Sequence, residues 1–118
     1  MAENSKKIYK VVVRDVIEWI NENLEEQLHI ERISAKSGYS KWHFQRIFKE
    51  ETGISLGKYI RERKLSHAYQ LLVNTDMSVI DISTSLGFTS QQVFSRTVKK
   101  ELRQSPRDIR KNGAIQPS

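Results

Sequence analysis

The sequence predicts an all-α fold of about seven helices, with two helix-turn-helix units joined by a long linker helix. Three observations carry that expectation. Apolar residues recur along most of the 118 residues at the i, i+3, i+4 spacing of a buried helical stripe, interrupted by only five Gly and two Pro. The chain also reads itself twice. IERISAKSGYS (30–40) matches VIDISTSLGFT (79–89), which pairs Ile33 with Ile82, Ser34 with Ser83, Gly38 with Gly87 and Tyr39 with Phe88. One residue slips in at the turn, after which Ser40, Phe44, Arg46, Lys49, Glu51 and Ser55 meet Ser90, Phe94, Arg96, Lys99, Glu101 and Ser105. Third, each copy has the same grammar: a short apolar helix, a glycine, an aromatic residue, then a serine that opens a longer helix. Two copies are too few for a solenoid.

Taken in order, residues 1–8 form a polar lead, and a first helix runs near residues 9–24. Val12, Val16, Ile17, Trp19, Ile20 and Leu24 give it a broad apolar side, with Trp19 in the core, while Glu18, Glu22, Glu25 and Glu26 face water. With that helix, the first unit occupies 9–55, its motif near 28–52. Leu28–Ser37 is the short helix, Gly38 supplies the left-handed C-cap, and Ser40 is the N-cap of a helix over 41–52. LGKYIRERKLSHAYQLLVN, 56–74, reads as one linker helix of roughly 18 residues, about 27 Å long. The second unit spans 75–112, with its motif near 77–102: Val79–Leu86, Gly87, then Ser90 as N-cap. Ser105 and Pro106 start a last helix, where a missing N–H at the first helical position is harmless. Residues 113–118 are expected to be a frayed tail.

Composition removes several classes of function. Without cysteine there are no disulfides, thiolate metal sites or cysteine nucleophile. No apolar run approaches the roughly 20 residues of a membrane span, and MAENSKK lacks a secretory apolar region. A soluble, cytoplasmic protein without membrane contact is expected. His29, His43 and His67 have no HExxH spacing, and no nucleophile elbow or phosphate loop occurs, so neither an enzyme nor a metal or cofactor site is expected. The net charge of +6 is uneven. Residues 1–31 hold four basic and seven acidic groups, and 32–64 hold nine and three. Residues 65–95 hold none and two, and 96–118 hold seven and two. Two basic blocks around a mildly acidic one fit two contacts with a polyanion.

The longer helix of each unit carries the chemistry. With Phe44, Ile47 and Phe48 buried, Trp42, Gln45, Arg46 and Lys49 share the opposite side. In the second copy Phe94, Val98 and Leu102 are inward, and Gln92, Arg96, Lys99 and Arg103 lie together outward. Val93 borders that stripe, and Gln91 stands nearer the buried edge but in the first turn. A Trp shown to solvent beside Gln and Arg suits the DNA major groove. Arg donates two bonds to guanine O6 and N7, Gln bridges adenine N6 and N7, and apolar groups meet the thymine methyl. Trp42, Gln45, Arg46, Gln92 and Arg96 are therefore candidate base readers, with Gln91, Val93 and Lys49 as weaker ones. Lys36, Lys41, Arg61, Arg63, Arg107 and Arg110 are candidate phosphate contacts, and Lys99 and Arg103 extend the second stripe toward the backbone. For Arg61, Arg63 and Lys64, solubility and i,i+4 pairing are an equal alternative. The linker helix falls short of the roughly 34 Å groove repeat, so modest DNA bending is expected, costing on the order of a few kcal/mol.

AKSGYSKWHFQRIFKEETGISLGKYIRERKL, LGFTSQQVFSRTVKKEL and SPRDIR together resemble the AraC/XylS family of bacterial transcription regulators, in its small MarA/SoxS/Rob/TetD-like subgroup. With the first helix, the resemblance covers about residues 10–111. It implies a seven-helix monomer that binds double-stranded DNA at an asymmetric promoter site and recruits RNA polymerase. It also implies control of multidrug-efflux, outer-membrane permeability and oxidative-stress genes. Base-reading roles carry over to Trp42, Gln45, Arg46, Gln91, Gln92 and Arg96, and phosphate roles to Lys41, Arg61, Thr97 and Arg110. Val93 and Ser95 stand where such regulators often have Thr, Ile109 where an aromatic is usual, and Gln104 where Gly is common. The helices use nearly the whole chain, so no small-molecule effector is expected. Two alternatives stay open: the DNA-binding module of a longer effector-regulated protein, and a non-specific architectural DNA binder.

Overall fold

In the computed structural model, residues 2–26 and 28–115 are described, with side chains from 7–26 and 28–113. The described residues form seven α-helices and no strand. They are α1 (Ala2–Glu22), α2 (Ile30–Ser37), α3 (Lys41–Thr52), α4 (Leu56–Asn74), α5 (Val79–Ser85), α6 (Gln91–Leu102) and α7 (Pro106–Ile115). They pack as two compact units, one from Met1–Leu24 and Leu28–Arg63, the other from Glu25–Gln27 and Lys64–Ser118. The division falls inside α4, which gives its first half to one core and its second half to the other.

In the first unit, Val13, Val16 and Ile20 of α1 bury against Ile33 of α2, Phe44, Ile47 and Phe48 of α3, and Leu56 and Ile60 of α4. The turn between α2 and α3 is held at both ends. Gly38 takes φ 84°, a left-handed conformation open to glycine at little cost, and Ser40 Oγ accepts from the His43 N–H at 3.2 Å. The Phe44 and Phe48 rings lie tilted to each other at 6.0 Å, and Phe48 meets Tyr59 of α4 at 5.5 Å.

The second unit repeats the plan around Leu65, Ala68 and Leu72 of α4, Ile82 of α5, Leu86, Phe94 and Val98 of α6, and Ile109 of α7. Ser90 Oγ caps α6 through the Val93 N–H at 3.1 Å, and Phe88 stands edge-on to Phe94 at 5.1 Å. Ser105 caps α7 through the Asp108 N–H, and Ile109, 3% exposed, docks that helix without an aromatic ring. Lys64 is buried in this unit. Its ammonium donates to the carbonyls of Glu26 at 2.9 Å and Leu86 at 2.5 Å, the second closing the end of α5. Burial pushes its pKa down.

Both chain ends are more helical than the sequence pattern implies. α1 begins at Ala2, within the lead expected over 1–8, because Ala, Glu and Lys favour helix while leaving no apolar period to read. It ends at Glu22, short of 24. α7 continues to Ile115, so the tail expected from 113 is helical for its first three residues, and 116–118 lie outside the described residues. Gly113 is a close approach and not a stop: a Cβ there would lie 2.9 Å from Cγ2 of Val73 in α4.

The matching serines Ser34 and Ser83 differ in one respect. Both are buried, but Ser83 Oγ donates to the Ile80 carbonyl at 2.8 Å, whereas Ser34 Oγ has no partner among the described residues. Ser34→Ala should therefore raise stability by about 1 kcal/mol and Ser83→Ala should lower it by a similar amount, measured by urea unfolding.

Candidate nucleic-acid interface

The second helix of each helix-turn-helix unit is oriented by its buried side, which carries a phenylalanine at the matching place. Phe44 in α3 and Phe94 in α6 are both 0% exposed. At about 100° per residue, side chains two positions before and after such an anchor point away from it, roughly 40° apart. In α3 these are Trp42, 86% exposed, and Arg46, also exposed. With Ser40 and His43 they line an open hollow of about 280 Å³. In α6 they are Gln92 and Arg96, both exposed, with Gln91 exposed and Val93 39% exposed beside them.

The other predicted residues divide by what holds them. Gln45 is half-buried, and its amide donates back to the Lys41 carbonyl at 3.2 Å, so it must swing out to meet a base. Lys41 pairs with Glu31 of α2 at 3.0 Å. The hydrogen bond from Lys41, with the charge it carries, holds the Glu31 carboxyl below its ordinary pKa. Lys49 is exposed in the last turn of α3. Thr97 is half-buried and donates its hydroxyl to the Val93 carbonyl at 2.8 Å. Lys99 and Arg103 are exposed at the far end of α6, and Arg61 and Arg107 are exposed on α4 and α7.

Four basic residues have structural partners that spacing did not indicate. The Lys36 ammonium lies 6.0 Å from the ring centre of Trp19, over which Arg32 also sits at 5.3 Å. Trp19 is half-buried between those cations and the first core, so it is a boundary residue and not fully core. Arg63 Nε donates to Asn21 Oδ1 at 2.8 Å. Lys64 is the buried cap already described. Arg110 is half-buried, with Nε donating to the Leu72 carbonyl at 3.0 Å and Nη2 to the Thr75 carbonyl at 3.1 Å, which closes the end of α4.

In sequence and fold the chain is similar to known proteins. A helix-turn-helix domain family matches residues 33–112. The chain is 44% identical over 117 residues to the probable transcription factor PqrA of Proteus vulgaris, covering 98% of this chain and 90% of that one. It is 45% identical over 89 residues to the multiple antibiotic resistance protein MarA of Escherichia coli, covering 75% and 70%. The chain belongs to the AraC-type helix-turn-helix family of transcription regulators. Among solved structures, the DNA-binding domain of AdpA in complex with a target DNA superimposes with a TM-score of 0.81 at 27% identity, over 85% of this chain and 90% of that one.

Within this AraC-type fold, two features lay beyond motif spacing. Tyr9 of α1 reaches the start of α3, where its hydroxyl lies 3.4 Å from His43 Nε2. Arg103 ends α6 at φ 66°, where the first copy uses Gly53 at φ 84°. At the offset of 50 Arg103 stands opposite Gly53, a pair of unlike residues that the motif reading does not use. The first joins residues 34 apart in sequence, and no local pattern links them.

Two predictions follow from the charges. If Lys41 meets a DNA phosphate, Glu31 competes for its ammonium, and Glu31→Gln should raise affinity for random DNA roughly two- to fivefold at low salt. Its carboxyl has a lowered folded pKa. The pair is therefore fully present above the ordinary carboxylate pKa and is lost as pH falls through the lowered one, so the two proteins should converge on acidification. Arg103→Gly relieves a left-handed non-glycine residue and should stabilise the chain by about 0.5–1 kcal/mol in urea. The same variant should weaken DNA binding and flatten its salt slope by about 0.9 if that cation meets a phosphate.

Proposed function

We propose that this chain is a sequence-specific transcriptional activator that binds an asymmetric promoter site as a monomer through both helix-turn-helix units and recruits RNA polymerase. The observation that carries the reading is the exposed pair two residues either side of each buried phenylalanine: Trp42 and Arg46, Gln92 and Arg96. Trp42, left 86% exposed, adds little to the core and offers its ring to a base or sugar. Arg46 and Arg96 present forked donors suited to guanine, and Gln91 and Gln92 suit adenine. Gln45 joins them on release from Lys41. Val93 offers its methyls to thymine, and Lys49 reaches the groove edge.

Lys41, Arg61, Lys99 and Arg103 hold phosphates and supply the salt-dependent part of affinity. Thr97 adds a hydroxyl. Lys36 and Arg110 contribute there with whatever donors Trp19 and the end of α4 leave them. Kinship with a protein named for multiple antibiotic resistance supports control of drug-resistance and stress genes in the cytoplasm, with no chemistry performed on a substrate. No helix among the described residues is long and apolar enough to cross a membrane.

Selection of bound duplexes from a random pool, followed by binding of two variants, tests this. Arg46→Ala should cost about 1–3 kcal/mol and relax preference at one base step. Lys41→Ala should weaken all sequences alike and reduce the salt slope by about one. Failure of any sequence to be enriched, or uniform loss in both variants, would contradict the proposal.

A further inference from the structure

Trp42 and Arg46 need a rigid first turn in α3, yet Trp42 has almost no packing of its own. Rigidity comes instead from the residue between Trp42 and Phe44. The backbone N–H of His43 is taken by Ser40 Oγ, and its ring forms one wall of the hollow that Ser40, Trp42 and Arg46 complete. That ring is clasped by two tyrosines. Tyr39, from the turn, stands edge-on to it at 5.0 Å, and Tyr9, from α1, edge-on at 5.9 Å. The two tyrosines meet each other edge-on at 5.8 Å. All three rings are half-buried. The Tyr9 hydroxyl, 3.4 Å from Nε2, can donate or accept and so serves either imidazole tautomer.

We propose that Tyr9 is a positioning residue for base reading: through His43 it fixes the first turn of α3, although α1 lies outside the helix-turn-helix motif. The proposal rests on the reading that α3 enters the groove. Fixing the imidazole leaves Trp42 and Arg46 fewer orientations to lose on binding, which favours the matched site over any other. The second copy has a different arrangement. Val93 occupies the place of His43, and Phe88, the counterpart of Tyr39, packs on Phe94. The effect of Tyr9 is therefore confined to the bases that α3 reads.

The test uses the full chain and its selected duplex, with single base changes placed along the site. Tyr9→Ala, Tyr9→Phe, His43→Ala, the double Tyr9→Ala/His43→Ala variant and Arg46→Ala are compared. The readout is the ratio of affinities for matched and mismatched duplexes, which cancels any inactive fraction and so survives a loss of stability. Tyr9→Ala should lose roughly tenfold in discrimination at the bases whose discrimination also depends on Arg46, and nothing elsewhere. Tyr9→Phe keeps the rings and should stay within about threefold of the native chain. The double variant should discriminate no worse than His43→Ala. Unchanged discrimination in Tyr9→Ala, or an even fall along the whole site, would overturn the role of Tyr9. Unchanged discrimination in Arg46→Ala would instead overturn the groove reading of α3.

Discussion

Burial of the matching phenylalanines, Phe44 in α3 and Phe94 in α6, is the constraint that turns the opposite side of each helix outward. A fully buried ring fixes rotation of the helix about its own axis, because turning it by even one residue position would expose Phe44 or Phe94 and force a polar neighbour inward. Exposing such a ring costs about 2–3 kcal/mol, and burying His43, Gln45 or Ser95 in exchange without a new partner adds to that cost. Rotation being fixed, the side chains two positions away have no direction open to them but outward. The glycine turn and serine cap fix the other variable, the angle at which each helix leaves its partner. Gly38 and Gly87 take φ values of 84° and 79°, and Ser40 and Ser90 open the helices that follow.

The two copies keep this frame and differ in how they finish it. Gly53 ends α3 without strain, while Arg103 ends α6 in a backbone region that disfavours a side chain. A cation there gains a place at the end of the outward stripe at some expense of stability. Lys64 and Arg110 cap α5 and α4 by donating to carbonyls at helix ends, where positive charge is favoured by the dipole as well as by the hydrogen bond. The second unit therefore draws part of its basic charge inward, so its net charge overstates the cations it can offer a polyanion.

Helix number, the Gly and Ser turn signals and the buried stripes were legible because each depends on neighbours within a turn or two. The outward direction of Trp42, Arg46, Gln92 and Arg96 was legible for the same reason, since it follows from the period of the helix and the identity of the buried side. Illegible were the partners of long side chains. Lys64 finds a carbonyl 22 residues away, Arg110 one 38 away, and Lys36 the ring of Trp19. A basic residue in sequence looks the same whether it ends at a phosphate or at a helix terminus. The start of α1 was missed because a helix that is polar on every side leaves no period to read.

Guanine-N7 methylation interference on a selected duplex tests the central claim most directly, because it reports contact at the major-groove atom that an arginine fork would take. Two separate clusters of interfering guanines are expected, one lost in Arg46→Ala and the other in Arg96→Ala. Interference confined to one cluster, or absent while phosphate-ethylation interference persists, would contradict the account.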